Sequence, residues 1–123
     1  YGLPKDIDLD FFHKKTLTCI SFGPACFIMT FTGNPGDTVS LNVQSEVSCI
    51  LLGKPEKRPG EIGYNLVAPA LLELMSKDIS SATGAEDGTL TLEFEQGDQL
   101  IIFDDSRQFE SYQIQHDEHL IVV

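Results

Sequence analysis

The stretch KDISSATGAEDGTLTLEFEQGDQLII, Lys77 to Ile102, decides the fold. Within it Leu90, Leu92 and Phe94 alternate with Thr89, Thr91, Glu93 and Glu95. Period-two patterning sends one set of side chains into a core and the other toward water. Asp87-Gly88 precedes this strand and Gln96-Gly97-Asp98 follows it. Both are turn sequences, so the flanking strands are hairpins and the sheet is antiparallel.

Upstream, KTLTCISFGPACFIMTFTGNPGDTVSL, Lys15 to Leu41, follows the same plan. Each stretch begins with Lys, passes through a short β-prone segment, and turns at a Gly-containing sequence. Each then has an alternating strand, a turn ending in Gly-Asp, and a further strand. Phe27, Met29 and Phe31 alternate with Ile28, Thr30 and Thr32, while Val39, Leu41 and Val43 alternate with Ser40, Asn42 and Gln44.

A helical segment is expected ahead of each stretch. APALLELMSK, from Ala68 to Lys77, has Pro69 in its first turn, Lys77 near its end, and an apolar face of Leu71, Leu72, Leu74 and Met75. DIDLDFFHKK, from Asp6 to Lys15, predicts a turn or two with Asp8 as cap and Leu9 and Phe12 inward. Its leading acids and trailing lysines complement the helix dipole. The expected class is α+β, predominantly antiparallel β, with two pseudo-repeated α-β-β-β units forming one domain over residues 1–123. The units cover approximately residues 6–52 and 66–123 and are joined by a loop at 53–65. That connector includes GKPEKRPGEIG, where Lys54, Lys57 and Arg58 sit among Pro and Gly. Neither half is large enough to fold alone.

The charge balance narrows the functional classes. Nineteen Asp and Glu against eight Lys and Arg give a formal net charge of −11. Nucleic acid is a poor direct ligand for such a surface, because phosphate binding needs clustered cations. Anionic membranes are disfavoured for the same reason, whereas a basic protein partner is drawn in by the field. Plain solubility is the alternative account of the acids. Cys19, Cys26 and Cys49 form no CxxC pair, so reduced thiols are expected, although Cys19 and Cys26 could face each other across a hairpin. No long apolar run and no charged leader followed by an apolar stretch occurs, which predicts a cytoplasmic chain.

No catalytic constellation is legible. GxSxG and nucleotide-binding Gly-rich loops are absent, and Cys26 with His13 is a pairing that any chain offers. His116 and His119, in the run HDEHLIVV, are read as exposed turn residues that face opposite ways, so no metal site and no cofactor are expected. Asp104 and Asp105 are adjacent, and an extended backbone sends them to opposite faces instead of onto one substrate. A non-enzymatic role follows as the expectation. In FDDSRQFESYQI, Phe103 to Ile114, the simplest account makes the acids a strand terminator with Phe109 and Tyr112 covering the core edge.

The run from Gly88 to Ile114, with the closing HLIVV, resembles a group of small bacterial proteins of uncharacterised activity. Gly88, Leu90, Leu92, Phe94, Leu100, Tyr112 and Ile114 carry the likeness, while Phe109 stands where the group's pattern has Tyr. DIDLDFF and KTLTCISFG match the group's beginning more loosely, and the middle of the chain does not match. Such proteins are encoded beside polymorphic toxin systems as candidate immunity proteins. Together with the acidic charge and the absence of a catalytic constellation, the resemblance leads to the expectation of a cytoplasmic inhibitor of a cognate basic toxin, a nuclease foremost. The expected partner-binding residues are Asp104, Asp105 and Glu110, followed by Asp117 and Glu118. Asp8 and Asp10 rank lower because helix capping explains them. The alternatives are a small acidic ligand-binding or housekeeping module, and a hydrolase or isomerase whose site converges only in the fold. The HLIVV segment is a further candidate, as an exposed edge for dimerisation or strand addition.

Overall fold

The protein is described here by a computed structural model covering residues 3, 7–24, 26–33, 36–51, 54–55, 68–105 and 110–123. Alternation produces strands where it is read. β1 (Thr16–Phe22), β2 (Phe27–Thr32) and β3 (Thr38–Val43) form an antiparallel meander. β4 (Val47–Leu51) and β5 (Lys54–Pro55) pair with each other, so part of the expected connector loop is strand. β6 (Ile79–Gly84), β7 (Leu90–Phe94) and β8 (Gln99–Ile102) form a second meander, and β9 (Tyr112–His116) and β10 (His119–Val122) close the chain as a hairpin. The class is thus mostly antiparallel β, as the turn chemistry predicts.

The two meanders are completed by strands from distant parts of the chain. One sheet has the order β1-β2-β3-β9-β10 and the other β5-β4-β8-β7-β6. Each sheet therefore joins three consecutive strands to a hairpin from elsewhere. The inward residues of both sheets share one core: Phe27, Met29, Phe31, Leu41, Tyr112 and Ile114 from the first, and Cys49, Leu90, Leu92, Phe94, Leu100 and Ile102 from the second. Full burial of each large apolar side chain contributes about 1.5–3 kcal/mol.

The sheets are tied where β1 meets β6. Leu17 N–H donates to the Lys77 carbonyl (3.1 Å) and Ile79 N–H donates to the Lys15 carbonyl (2.9 Å). Lys14 N–H donates to Ile79 (2.8 Å) and Ser76 N–H to Leu17 (2.9 Å), so the contact is reciprocal. Lys14 and Ser76, which occupy matching places in this exchange, both have positive φ (63° and 68°). The same shift in register recurs between Leu17 and Cys19 and between Ile79 and Ser81.

The helical segments are shorter than their patterns predict. α1 covers only Ala68–Leu72, and residues 73–76 are turns. Leu71 and Leu74 are buried, but Leu72 is 56% exposed, so the apolar face is narrower than expected. Past Leu72 the N–H groups of Glu73, Leu74 and Met75 bond three residues back, and Ser76, in the left-handed region, gives its N–H to Leu17 of β1 instead of continuing a helix. The N-terminal segment forms a 3-10 helix, Asp10–Phe12, with Leu9 and Phe12 buried as expected. The Asp8 carboxylate accepts the Asp10 N–H (2.9 Å). Among the described residues, no helix is long and apolar enough to cross a membrane.

Candidate functional site

The meander geometry sorts the polar residues into two ends. At one end lie the β3–β4 corner (44–46), the β6–β7 turn (85–89), the segment after β8 (103–105) and the start of β9 (110–111). Backbone bonds hold these segments together: Gln44 N–H donates to Ser111 (2.8 Å) and Phe103 N–H to Glu46 (3.0 Å). The four segments supply Glu46, Glu86, Asp87, Asp104, Asp105 and Glu110, and none of their described residues is Lys or Arg.

These acids are not equivalent. Asp104 is half-buried and accepts the Ser111 hydroxyl (2.7 Å). A Cβ placed on Gly88 would overlap its side chain, so the β6–β7 turn packs directly on it. Asp104 thus serves the fold, in keeping with its reading as a strand terminator. Asp105 is exposed, with one carboxylate oxygen at 3.4 Å from the Glu46 N–H. Glu110 is half-buried at the start of the last hairpin. Ser106, Arg107, Gln108 and Phe109 lie outside the described residues. The Thr89 backbone N–H holds the Asp87 carboxyl below its usual range.

Tyr112 anchors the acidic end from below. Its ring is buried and its hydroxyl donates to the Gly88 carbonyl (2.7 Å). Burial first, then the Asp104 and Asp87 carboxylates, raise the phenol above its ordinary pKa of 10.0. A group whose folded pKa is raised contributes stability that is present below the unfolded pKa and lost as pH climbs above it. Tyr112→Phe is therefore expected to cost about 1 kcal/mol at neutral pH. It should also flatten the loss of stability above pH 10.0, the ordinary phenol value. Urea midpoints at neutral and alkaline pH check both, and an unchanged alkaline slope would remove Tyr112 from that role.

The opposite end carries Lys15, Lys77 and the two Gly-Asp turns. Lys15 Nζ lies 3.0 Å from Asp37, and Lys77 Nζ lies 2.5 Å from Asp98. Lys15 also donates to the Phe11 carbonyl. Its ammonium is the main cause holding the Asp37 carboxyl below the ordinary carboxylate range. Thr16 hydroxyl donates to the Asp78 carboxylate beside them. Asp117 and Glu118 form the β9–β10 turn at this end and are both exposed. They are separated from Asp105 and Glu110 by the length of β9, so the five expected partner-binding residues fall into two groups.

The expectation that His116 and His119 face opposite ways does not hold. Only Asp117 and Glu118 separate the strands, and the register places His119 directly opposite His116. Directly opposed residues of an antiparallel pair share one face. His116 is a half-buried strand residue, stacked on Phe11 with centroids 4.5 Å apart and 10° between planes. Its Nε2 approaches Asp37 (3.3 Å) and Asp117 (3.6 Å). Sequence spacing missed this group because Asp37 reaches it only through the pairing of β3 with β9.

Cys19 is exposed, Cys26 half-buried and Cys49 buried. Cys19 pairs with Thr30 and not with Cys26, so the hairpin does not bring the two together, and burial is confined to Cys49. β10 is a sheet edge, with Leu120 55% and Val122 36% exposed. No family model, curated protein or solved structure matches the chain.

Proposed function

We propose that the chain is a cytoplasmic immunity protein that binds a cognate basic toxin, a nuclease foremost, and neutralises it by electrostatic and steric blocking. The observation that carries this reading is the acidic end, where six carboxylates from four segments gather without a described Lys or Arg among them. An acidic surface fits a cleft evolved for phosphate, and occupying that cleft excludes substrate without chemistry. The net field of −11 steers a cationic partner toward it. Exposed Asp105 and half-buried Glu110 are the contacting groups, while Asp104 holds its neighbours in place from behind.

We also read the chain as a duplicated unit whose closing hairpins are exchanged between halves. The reciprocal hydrogen bonds of β1 and β6, the paired register shifts and the matching Lys–Asp ion pairs support this. Exchange leaves the connection 44–46 and the described residues between β8 and β9, 103–105 and 110–111, at one end. That is why acids from both halves meet there.

The test is co-expression with the toxin domain encoded beside the gene. Growth should be restored and a complex recovered. Asp105→Lys with Glu110→Lys should weaken that complex about 100-fold while leaving the melting temperature nearly unchanged, because both groups lie at the rim of the fold. Charge reversal at Asp104 is a poorer probe, since it breaks the bond to Ser111. A neighbouring gene without toxicity, or affinity indifferent to both reversals and to salt, overturns the reading.

A further inference from the structure

The geometry points to a transition-metal site of the zinc class, built by Asp37, His116 and Asp117 and completed by His119. It lies at the end opposite the acidic surface and is independent of the toxin-binding reading. His116 Nε2 is 3.3 Å from Asp37 Oδ2 and 3.6 Å from Asp117 Oδ2, and the three donor atoms lie within 4.8 Å of one another. Ligands bound at about 2.0–2.1 Å to a tetrahedral zinc ion stand about 3.3–3.4 Å apart. His116 already stands from each carboxylate at nearly the spacing that one ion would impose.

Each donor is held by a different constraint. Asp37 follows the Gly36 turn and enters β3, whose Val39 pairs with His116. The imidazole is fixed by its stacking on Phe11. Asp117 sits at φ 54° in a two-residue turn, its carbonyl accepting Gln115 Nε2 (2.9 Å). His119 lies opposite His116 and shares with it a cavity of about 340 Å³, also lined by Asp8, Phe11, Leu120 and Ile121. Exposed and directly opposite His116, His119 supplies the fourth ligand.

Lys15 sets the affinity. Its ammonium shares the Asp37 oxygen at 3.0 Å, so two carboxylates and one cation leave a single net negative charge for the ion. The ion therefore binds more weakly than the same ligands would hold it without the ammonium beside them. The imidazoles select zinc over magnesium, which demands octahedral oxygen ligands.

Chelator-stripped, tag-free full chain is titrated with zinc chloride in a calorimeter, and its melting temperature is followed. One ion per chain should bind and raise the melting temperature, and magnesium should do neither. His116→Gln should abolish binding. Asp117→Asn, which leaves the Phe11 stacking untouched, should weaken it by about tenfold or more, as should His119→Gln. His13→Gln, whose ring contacts the Ser80 carbonyl elsewhere, should change nothing. Absence of zinc binding, an equal response to magnesium, or binding indifferent to both His116→Gln and Asp117→Asn overturns the assignment.

Discussion

Lys77→Met is expected to destabilise the protein by about 3 kcal/mol, and Lys15→Met by only about 1 kcal/mol. The two ion pairs look alike but bury opposite partners. In the Lys77–Asp98 pair the carboxylate is the buried member, with side-chain exposures of 28% for Lys77 and 0% for Asp98. Removing the ammonium strips the principal countercharge from an anion that water cannot reach, and breaking such a pair costs about 3–5 kcal/mol. The partial exposure of Lys77 sets the lower end of that range. In the Lys15–Asp37 pair the cation is the buried member, at 8%, and Asp37 is 38% exposed. Methionine fills the space of the lysine stem, and the carboxylate left behind is hydrated. What is lost is mainly the bond to the Phe11 carbonyl. Urea unfolding with unchanged slopes measures the difference. A Lys15→Met variant as unstable as Lys77→Met would show that burial of the acid is not what decides the cost.

Gly88→Ala is the second large effect, expected at about 3 kcal/mol. Gly88 has φ 95°, outside the range that L side chains favour. Its missing Cβ makes room for the Asp104 side chain. An added methyl forces that carboxylate away from Ser111 and disturbs the carbonyl that accepts the Tyr112 hydroxyl. Gly97 provides the internal control, because it has the same φ of 95° and nothing lies within 4 Å of the place a methyl would occupy. Gly97→Ala should cost only the backbone strain, about 1 kcal/mol. Equal losses at the two glycines would remove Asp104 from the explanation.

Of the two, the effect at Gly88 bears on the proposed function, because Lys77 and Asp98 lie at the opposite end. Gly88, Asp104, Ser111 and Tyr112 form the floor on which the acidic end rests. A variant that unsettles the floor is expected to weaken the proposed partner binding indirectly. Asp105 and Glu110 stand above it, so their reversal reads binding without reading stability.

Local sequence was a good guide wherever a feature depends on neighbours along the chain. The alternation through Phe27–Phe31, Val39–Val43 and Leu90–Phe94 marks buried faces correctly, since side chains on a strand alternate whatever the strand pairs with. Asp87-Gly88 and Gln96-Gly97 mark turns because glycine alone accepts their φ at low cost. Leu9 and Phe12 turn inward as their spacing requires.

Tertiary structure decided the rest. Nothing local specifies that β9 lies beside β3 or that β4 lies beside β8, because strand period identifies a face and never a neighbour. Those pairings carry Asp37 to His116 and gather acids from four segments at one end. Another non-local contact, the Ser76 N–H bonding to Leu17 of β1, accompanies the early end of α1. By itself the sequence determined most of the strands and turns and the sign of the net charge, though not β5 or the strand position of His116. The hydrogen bonds between distant strands determined which charges meet, because only non-local pairing can bring such groups within reach of one another.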